Sequence, residues 1–164
     1  MFRTIADFLT AWRTESHSTL KVLGELTDKS LEQRVTPKGR SLGVLAWHIT
    51  TSLTEMINHA GLPVEVTKDD APASVAVIAA VYARDAKAIA AAVEAGWKDS
   101  QLGDDIPMYG EQWKKGFVLS CLIAHQCHHR GQMTVLMRQA GLKVPGVYGP
   151  AYEEWAAYGA APQA

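Results

Sequence analysis

Residues 111–141 read EQWKKGFVLSCLIAHQCHHRGQMTVLMRQAG, and this stretch gives the clearest indication of the fold. Its apolar residues return at three- and four-residue steps, which predicts an amphipathic helix from about Glu111 to Ala140. Gly141 follows directly, and glycine is favoured at the C′ position that ends a helix. Because a helix of this kind buries its apolar face against other elements, the rest of the chain has to supply them.

Three further segments show the same helical periodicity. They run from about Phe2 to Leu26, from about Ser41 to Ala60 and from about Ala73 to Trp97. The segments between the predicted helices contain proline or glycine and predict connections, at residues 28–40, 62–72 and 99–110. No run of residues has the alternation typical of a strand. Four long helices around one core predict an all-α four-helix bundle, with residues 1–164 forming a single domain.

The tail from Leu142 to Ala164 is rich in proline and glycine, so it is not expected to continue the last helix. It also carries three large aromatic residues, Tyr152, Trp155 and Tyr158. We expect these rings to pack across the bundle.

The charge balance excludes several classes of function. Lys and Arg total 16 against 17 Asp and Glu, so the chain offers no general electrostatic attraction for nucleic acid or an anionic membrane surface.

No segment has the length and apolar character of a signal peptide or a membrane span. Cys121 and Cys127 would lie about 9 Å apart along one helix, too far to form a disulfide, as is usual in a reducing compartment. The sequence therefore predicts a cytoplasmic protein.

Histidines in the fourth predicted helix indicate a metal site. On a helix, His125 and His129 differ by about 40° and lie one turn apart, so both imidazoles can reach one ion. The apolar residues of this helix are centred near roughly 30° from His125, which places His129 inward and His128, near about −60°, at the rim. Such a pair alone is more often structural or incidental, since the motif has a high false-positive rate.

A third ligand has to come from another helix, and His48 is the best candidate. It lies in Leu45-Ala46-Trp47-His48-Ile49 of the second predicted helix. A lone histidine in such a place is more often a satisfied core residue, but together with the pair it completes a set of three nitrogen ligands. Catalytic zinc sites of this kind leave a coordination position open for water or substrate.

At these residues the sequence resembles the DinB superfamily of bacterial helical-bundle proteins. The resemblance rests on the segments around the histidines and in the tail: Leu45-Ala46-Trp47-His48-Ile49, His125-x-x-His128-His129-Arg130-Gly131-Gln132 and Val144-Pro145-Gly146-Val147-Tyr148-Gly149-Pro150. It spans essentially the whole chain. The fourth-helix motif is specific when it is combined with a histidine on the second helix, and weak otherwise.

The resemblance implies a DinB/YfiT-like bundle in an up-down-down-up arrangement with a long crossover. It implies that His48, His125 and His129 bind one divalent ion, zinc or nickel above all, and that the protein forms a homodimer. Relatives in the superfamily include thiol-dependent transferases and an isomerase that uses a low-molecular-weight thiol. The resemblance therefore indicates the metal site more strongly than it indicates a reaction.

Three polar residues near the predicted site have two interpretations each. Glu55, two turns after His48, is a candidate general base or simply a charge at the mouth of the bundle. Asp85 interrupts the apolar stripe of the third helix, and it either accepts the second N–H of a ligand histidine or pairs with an arginine. Gln132 lies on the metal face one turn after His129, where it either donates to a ligand or a bound substrate or packs at the bundle end.

Four other side chains are expected to lie outside the coordination sphere. Cys121, one turn before His125, is expected to act as a small apolar residue rather than a thiolate ligand. His59 lies roughly 16 Å along the helix from His48 and His17 is expected at the surface. Arg130, near about 140° on the wheel, is expected to point outward and to pair with Glu153 or Glu154 of the tail.

Two functions follow from these features. The first is a metal-dependent enzyme, either a thiol-dependent transferase or a hydrolase, that activates a thiol or water for attack on a small electrophilic substrate. The second is a non-catalytic metal-binding or stress-related module, in which the ion clamps two helices together. The absence of an obvious fourth protein ligand favours the enzyme, since structural zinc sites are normally closed by four.

Overall fold

A computed structural model describes residues 1–67 and 70–162, so positions 68–69 of the predicted second connection and 163–164 of the tail lie outside it. The four predicted helices are all present, and the all-α fold is confirmed. They are α1 (Ile5–Gly24), α2 (Leu42–His59), α3 (Val75–Gly96) and α4 (Lys115–Gln139). Side chains cap the N-termini of α1 and α2: the Thr4 hydroxyl accepts from the backbone N–H of Asp7, and the Ser41 hydroxyl accepts from that of Val44.

Contacts at the helix ends define the directions of α1, α3 and α4. The backbone N–H of Ile5, in the first turn of α1, donates to the Asp99 carboxylate just beyond the end of α3, at 2.7 Å. These two helices therefore run antiparallel. The backbone N–H of Phe2 donates to the carbonyl of Gly116 in the first turn of α4, at 3.2 Å, so α1 and α4 run parallel.

The direction of α2 completes the topology. His59, the last residue of α2, stacks on Tyr109, which lies six residues before α4 begins, with ring centroids 4.8 Å apart. Since the end of α2 meets the beginning of α4, these two helices are antiparallel. The order is therefore up-down-down-up, and each of α1 and α2 packs between α3 and α4.

The core lies along the axis of the bundle and receives side chains from all four helices. Its fully buried large residues include Phe8 of α1, Leu53 of α2, Tyr82 of α3 and Leu122 of α4. Burying a side chain of this size stabilises the fold by about 1.5–3 kcal/mol. None of the helices in the described residues combines the length and apolar character needed to cross a bilayer.

A β-hairpin precedes α4, and the expectation of no strand is wrong here. Its strands, β1 (Asp105–Met108) and β2 (Glu111–Lys114), are antiparallel, so α4 begins at Lys115 rather than at Glu111. Tyr109 and Gly110 both have positive φ, 51° and 87°, which is the backbone of the tight hairpin turn whose twist matches its strands. Met108 is buried, which fastens the hairpin to the bundle.

The tail is attached to the bundle through apolar contacts, such as that of the buried Val144, and through polar ones. Its short 3₁₀ helix, Tyr152–Tyr158, leaves the side chains of Tyr152 and Tyr158 exposed, so the expectation that these two rings pack across the bundle is wrong. Trp155, the third predicted ring, is half-buried. Glu153 pairs with Arg138 of α4, and the hydroxyl of Tyr148 reaches a buried polar cluster between α1 and α4.

Candidate metal centre

Three histidines converge between α2 and α4. The Nε2 atom of His125 lies 3.2 Å from that of His48 and 3.1 Å from that of His129. One nitrogen from each ring falls within a group whose members all lie within 4.8 Å of one another. The structure therefore brings together all three residues that were predicted as ligands.

The spacing of these nitrogens fits a shared metal ion. With Zn–N bonds of about 2.0–2.1 Å, two nitrogens at tetrahedral positions lie about 3.3 Å apart. Neutral imidazole has one acceptor nitrogen, and two acceptor lone pairs that face each other without a proton between them repel. A divalent cation would accept a lone pair from each of the three rings and remove any such repulsion.

The second ring nitrogen of two histidines has a partner that orients the ring. The Nδ1 atom of His129 lies 2.8 Å from Oε1 of Gln132, an acceptor-only atom, so Nδ1 carries the hydrogen and Nε2 keeps its lone pair. The Nδ1 atom of His125 lies 3.4 Å from the hydroxyl of Ser52. Gln132 thus contacts a candidate ligand as expected, but it accepts from His129 rather than donating to it. Sequence reasoning gave Ser52 no role, although its position one turn after His48 was the available signal.

The Gln132 amide is itself held on its other side. Its nitrogen lies 3.2 Å from Nε2 of His128, the exposed histidine at the rim. Because an amide nitrogen only donates, His128 accepts here through Nε2. The pair of contacts fixes which end of the amide faces His129.

Electrostatics keep the three imidazoles neutral. Burial lowers the pKa of His125 to about 4, with further lowering by His129 and His48. The pKa of His48 is lowered by burial and then by His129, and that of His129 is lowered by burial despite its hydrogen bond to Gln132. Neutral imidazole is the form that binds a metal, so the site is ready to do so at neutral pH.

The helical wheel separated the two neighbouring histidines of α4 correctly. His129 is only 6% exposed and faces α2, whereas His128 is exposed. One helical step of about 100° between adjacent residues accounts for the difference. Cys121, half-buried, lies outside the group of converging ligands in the described residues, and burial raises the pKa of its thiol. Both cysteines are unpaired.

Glu55 and Asp85 lie apart from the three ring nitrogens. Glu55 is exposed and accepts a hydrogen bond from the Tyr109 hydroxyl at 2.8 Å, while its charge acts to raise the pKa of His48. Asp85 is buried on α3, and one carboxylate oxygen accepts from Arg84 at 2.7 Å. No described group donates to its other oxygen. Of the two interpretations of Asp85, the structure shows the ion pair.

Arg130 corrects a prediction. It is 2% exposed and pairs with Glu15 of α1 at 2.6 Å, whereas Glu153 pairs with Arg138 and Glu154 accepts from the backbone of the tail. The wheel assumed that α4 has one buried face. Because α4 packs against α1 as well as α2, the side that carries Arg130 is also interior.

A cavity at the start of α2 adjoins His48, His125 and His129, which together form the histidine cluster. Its volume is about 450 Å³, within the range of small-molecule sites. His129 belongs to its wall together with Leu45 of α2 and Leu136 of α4. A small molecule in this cavity would therefore reach the edge of the metal centre.

The chain is an up-down-down-up bundle in which three histidines converge from the second and fourth helices. Its class is therefore that of helical-bundle proteins with a candidate metal centre. The model of the DinB family matches residues 1–163, and the chain belongs to that family. It is 44% identical over 161 residues to the uncharacterized protein YrdA of Bacillus subtilis, a match that covers 97% of this chain and 96% of YrdA.

Solved structures agree with this membership. A crystal structure of a DinB-like protein from Bacillus cereus matches with a TM-score of 0.86 at 43% identity, over 90% of this chain and 100% of that one. A DinB-like protein from Bacillus subtilis matches with a TM-score of 0.70 at 17% identity, over 88% and 99% of the two chains. The second likeness supports the fold alone.

Proposed function

We propose that this protein binds one divalent metal ion, zinc or nickel, through His48, His125 and His129, and that it is a metal-dependent enzyme acting on a small electrophilic molecule. The observation that carries the proposal is the convergence of three histidine Nε2 atoms beside a cavity that one of them, His129, lines. Three protein ligands leave positions for exogenous ligands, as in catalytic zinc sites.

The reaction class we propose is thiol transfer, with hydrolysis as the variant that uses water. A divalent ion at this site would supply Lewis-acid chemistry, lowering the pKa of a water molecule or low-molecular-weight thiol that it binds. The chain's own residues fix the ligands. Gln132 holds the His129 ring with Nε2 inward, and the Ser52 hydroxyl steadies the His125 ring.

Glu55 is the proposed proton acceptor. Its carboxylate is exposed to solvent, into which it could release a proton, and its charge reaches His48 electrostatically. To act, it would exchange its hydrogen bond with the Tyr109 hydroxyl for one with the substrate. Glu55→Gln should then lower kcat while leaving the metal content unchanged.

A second candidate function is a structural metal module. The three ligands link α2 to α4, so a bound ion would clamp the two helices. The two functions differ in one property: an enzyme's ion accepts an outside ligand, whereas a clamp needs none. The predicted homodimer and cytoplasmic location remain predictions under either function.

The test combines elemental analysis with cobalt substitution. The purified protein should contain one divalent ion per chain, and the visible spectrum of the Co²⁺ form should change when a low-molecular-weight thiol such as 2-mercaptoethanol is added. A metal-free protein that cannot be loaded would contradict the metal site. A Co²⁺-loaded protein whose spectrum does not change when the thiol is added, and which unfolds when the metal is chelated, would favour the structural module.

A further inference from the structure

The cavity beside the histidine cluster has an unusual wall. Most of its surface is apolar, from Val35, Leu45, Val135 and Leu136. Its polar side chains are those of Arg40, His128, His129 and Gln132. None of the described residues that line it is acidic. A cavity of this composition carries one fixed positive charge on a wall that is mostly apolar.

Arg40 provides that charge, directly before the cap residue Ser41 of α2. Its side chain lines the same cavity as His129, one of the three converging histidines. In the described part of the chain no carboxylate pairs with its guanidinium. Four other arginines do have carboxylate partners: Arg34, Arg84, Arg130 and Arg138.

An unpaired guanidinium in this position also opposes the binding of a metal ion by the three histidines. Its charge disfavours a cation held by the three histidines, because like charges repel. An anion between Arg40 and the ion would reverse that repulsion and contact both charges. Guanidinium groups bind carboxylates through two parallel hydrogen bonds, which gives both affinity and orientation.

We propose that Arg40 recognises the carboxylate of a small substrate or cosubstrate whose short apolar body lies against Val35, Leu45 and Val135 and whose other end reaches the histidine cluster. This inference rests on the proposed function and names the ligand class of that site. The apolar walls favour a carboxylate on a hydrocarbon chain over a polyanion such as a phosphate ester, since the described wall offers a single fixed cation.

The test uses two probes that differ in charge alone, 3-mercaptopropionate and 3-mercaptopropionamide. Each is titrated into the Co²⁺-loaded protein, and binding is followed by calorimetry and by the cobalt spectrum. Wild-type protein should bind the carboxylate at least about tenfold more tightly than the amide, the ratio expected for one charge-assisted contact. Arg40→Gln should bring this ratio close to one through loss of carboxylate affinity.

Lys38→Gln is the matched control, because it removes an exposed positive charge two residues from Arg40 that is not part of the cavity wall. It should keep the wild-type ratio, which separates direct contact from general charge. A ratio that stays high in Arg40→Gln, or that is near one in the wild type, overturns the role of Arg40 while the metal site stands. Failure of the wild type to take up any metal overturns the proposed function and this inference with it.

Discussion

Helix α4 carries a polar cluster on each of two sides, and the two differ in how their hydrogen bonds are satisfied. Toward α2, His125 and His129 meet His48, and ring nitrogens face one another at 3.1 and 3.2 Å. Toward α1, Arg130 meets Glu15, and every contact joins a donor to an acceptor. We call these the histidine cluster and the arginine cluster.

The arginine cluster is closed upon itself. The Arg130 guanidinium donates to the Glu15 carboxylate at 2.6 Å, to the Glu15 carbonyl at 3.0 Å and to the Thr19 hydroxyl at 3.1 Å. The Tyr148 hydroxyl covers it, 2.6 Å from Arg130 and 2.8 Å from Glu15. Buried polar groups are normally satisfied in this way, so the cluster needs nothing from outside the chain.

In the histidine cluster, Nε2 of His129 is an acceptor, and a proton can lie in at most one of the two contacts that Nε2 of His125 makes. The other contact then has no matched donor and acceptor. Buried acceptors that face one another are costly unless a proton or a cation lies between them. The comparison teaches that satisfied polar groups in this bundle stabilise the fold, whereas unsatisfied convergent ones mark the place for a ligand. Mutations on the two sides of α4 should therefore affect different measurements.

The largest effect on stability is expected in the arginine cluster. Glu15→Ala leaves Arg130 buried without its carboxylate, and breaking a buried pair in this way costs about 3–5 kcal/mol. Urea unfolding should show this loss. Arg138→Ala, which removes the surface pair with Glu153, is the control and should cost about 0–1 kcal/mol. Equal losses would mean that the burial of Glu15 and Arg130 does not matter.

The histidine cluster should respond in metal affinity instead. His129→Ala removes one of three ligands, and since structural zinc sites gain roughly 3–4 kcal/mol per ligand, the affinity should fall about a hundredfold or more. His128→Ala, one residue away at the rim, should keep the metal bound. Competition with a chromophoric chelator measures both. Similar losses from the two variants would refute the assignment of His129 as the ligand.

This pair of variants also shows what the sequence could predict. Helical spacing put His125 and His129 on one face and His128 at the rim, because periodicity depends only on the regular geometry of a helix. The four helices were predictable for the same reason. His48 required the family resemblance in addition, since nothing in the spacing within one helix identifies a partner on another.

The errors have a physical reason too. Arg130 was expected outside because the helical wheel assumed a single buried face on α4, and Glu15 of α1 supplies the partner that its burial needs. The hairpin was missed because its strands are only four residues each: β1 lies in the predicted connection at 99–110, and β2 merges into the pattern of the fourth predicted helix. Both features depend on contacts between distant segments, which periodicity does not report.

A smaller effect is expected at the residue that orients a ligand. Gln132→Leu removes the acceptor for Nδ1–H of His129, and loss of such a partner lowers metal affinity by about 10–100-fold. Gln132→Glu keeps an acceptor at this position and should retain most of the affinity. Nitrogen-15 NMR of the metal-free protein should show His129 protonated at Nδ1 in the wild type. If the leucine and glutamate variants bind metal equally well, Gln132 has no orienting role.

Acid should weaken the metal-free fold through the histidine cluster. The pKa of His125 is about 4 in the folded protein and 6.5 in the unfolded chain, so between these two pH values the unfolded chain binds more protons. The free energy of unfolding should therefore be constant above about pH 6.5 and fall as the pH drops toward 4. Urea midpoints near pH 7 and near pH 5 measure this, and His125→Asn should flatten the dependence. A midpoint that does not fall would contradict the burial of a neutral His125.

The smallest effect, a loss of unfolding free energy, is expected in the arginine cluster. Tyr148→Phe removes the hydroxyl that bridges Arg130 and Glu15 but leaves their direct contact in place. Since the ring is largely exposed and the two charged groups still satisfy each other, the cost should be that of one net hydrogen bond, about 0.5–1.5 kcal/mol, in urea unfolding. Metal affinity should not change, because the hydroxyl lies on the side of α4 away from the histidines. A loss as large as that of Glu15→Ala would show that the tail, rather than the ion pair, holds the cluster closed.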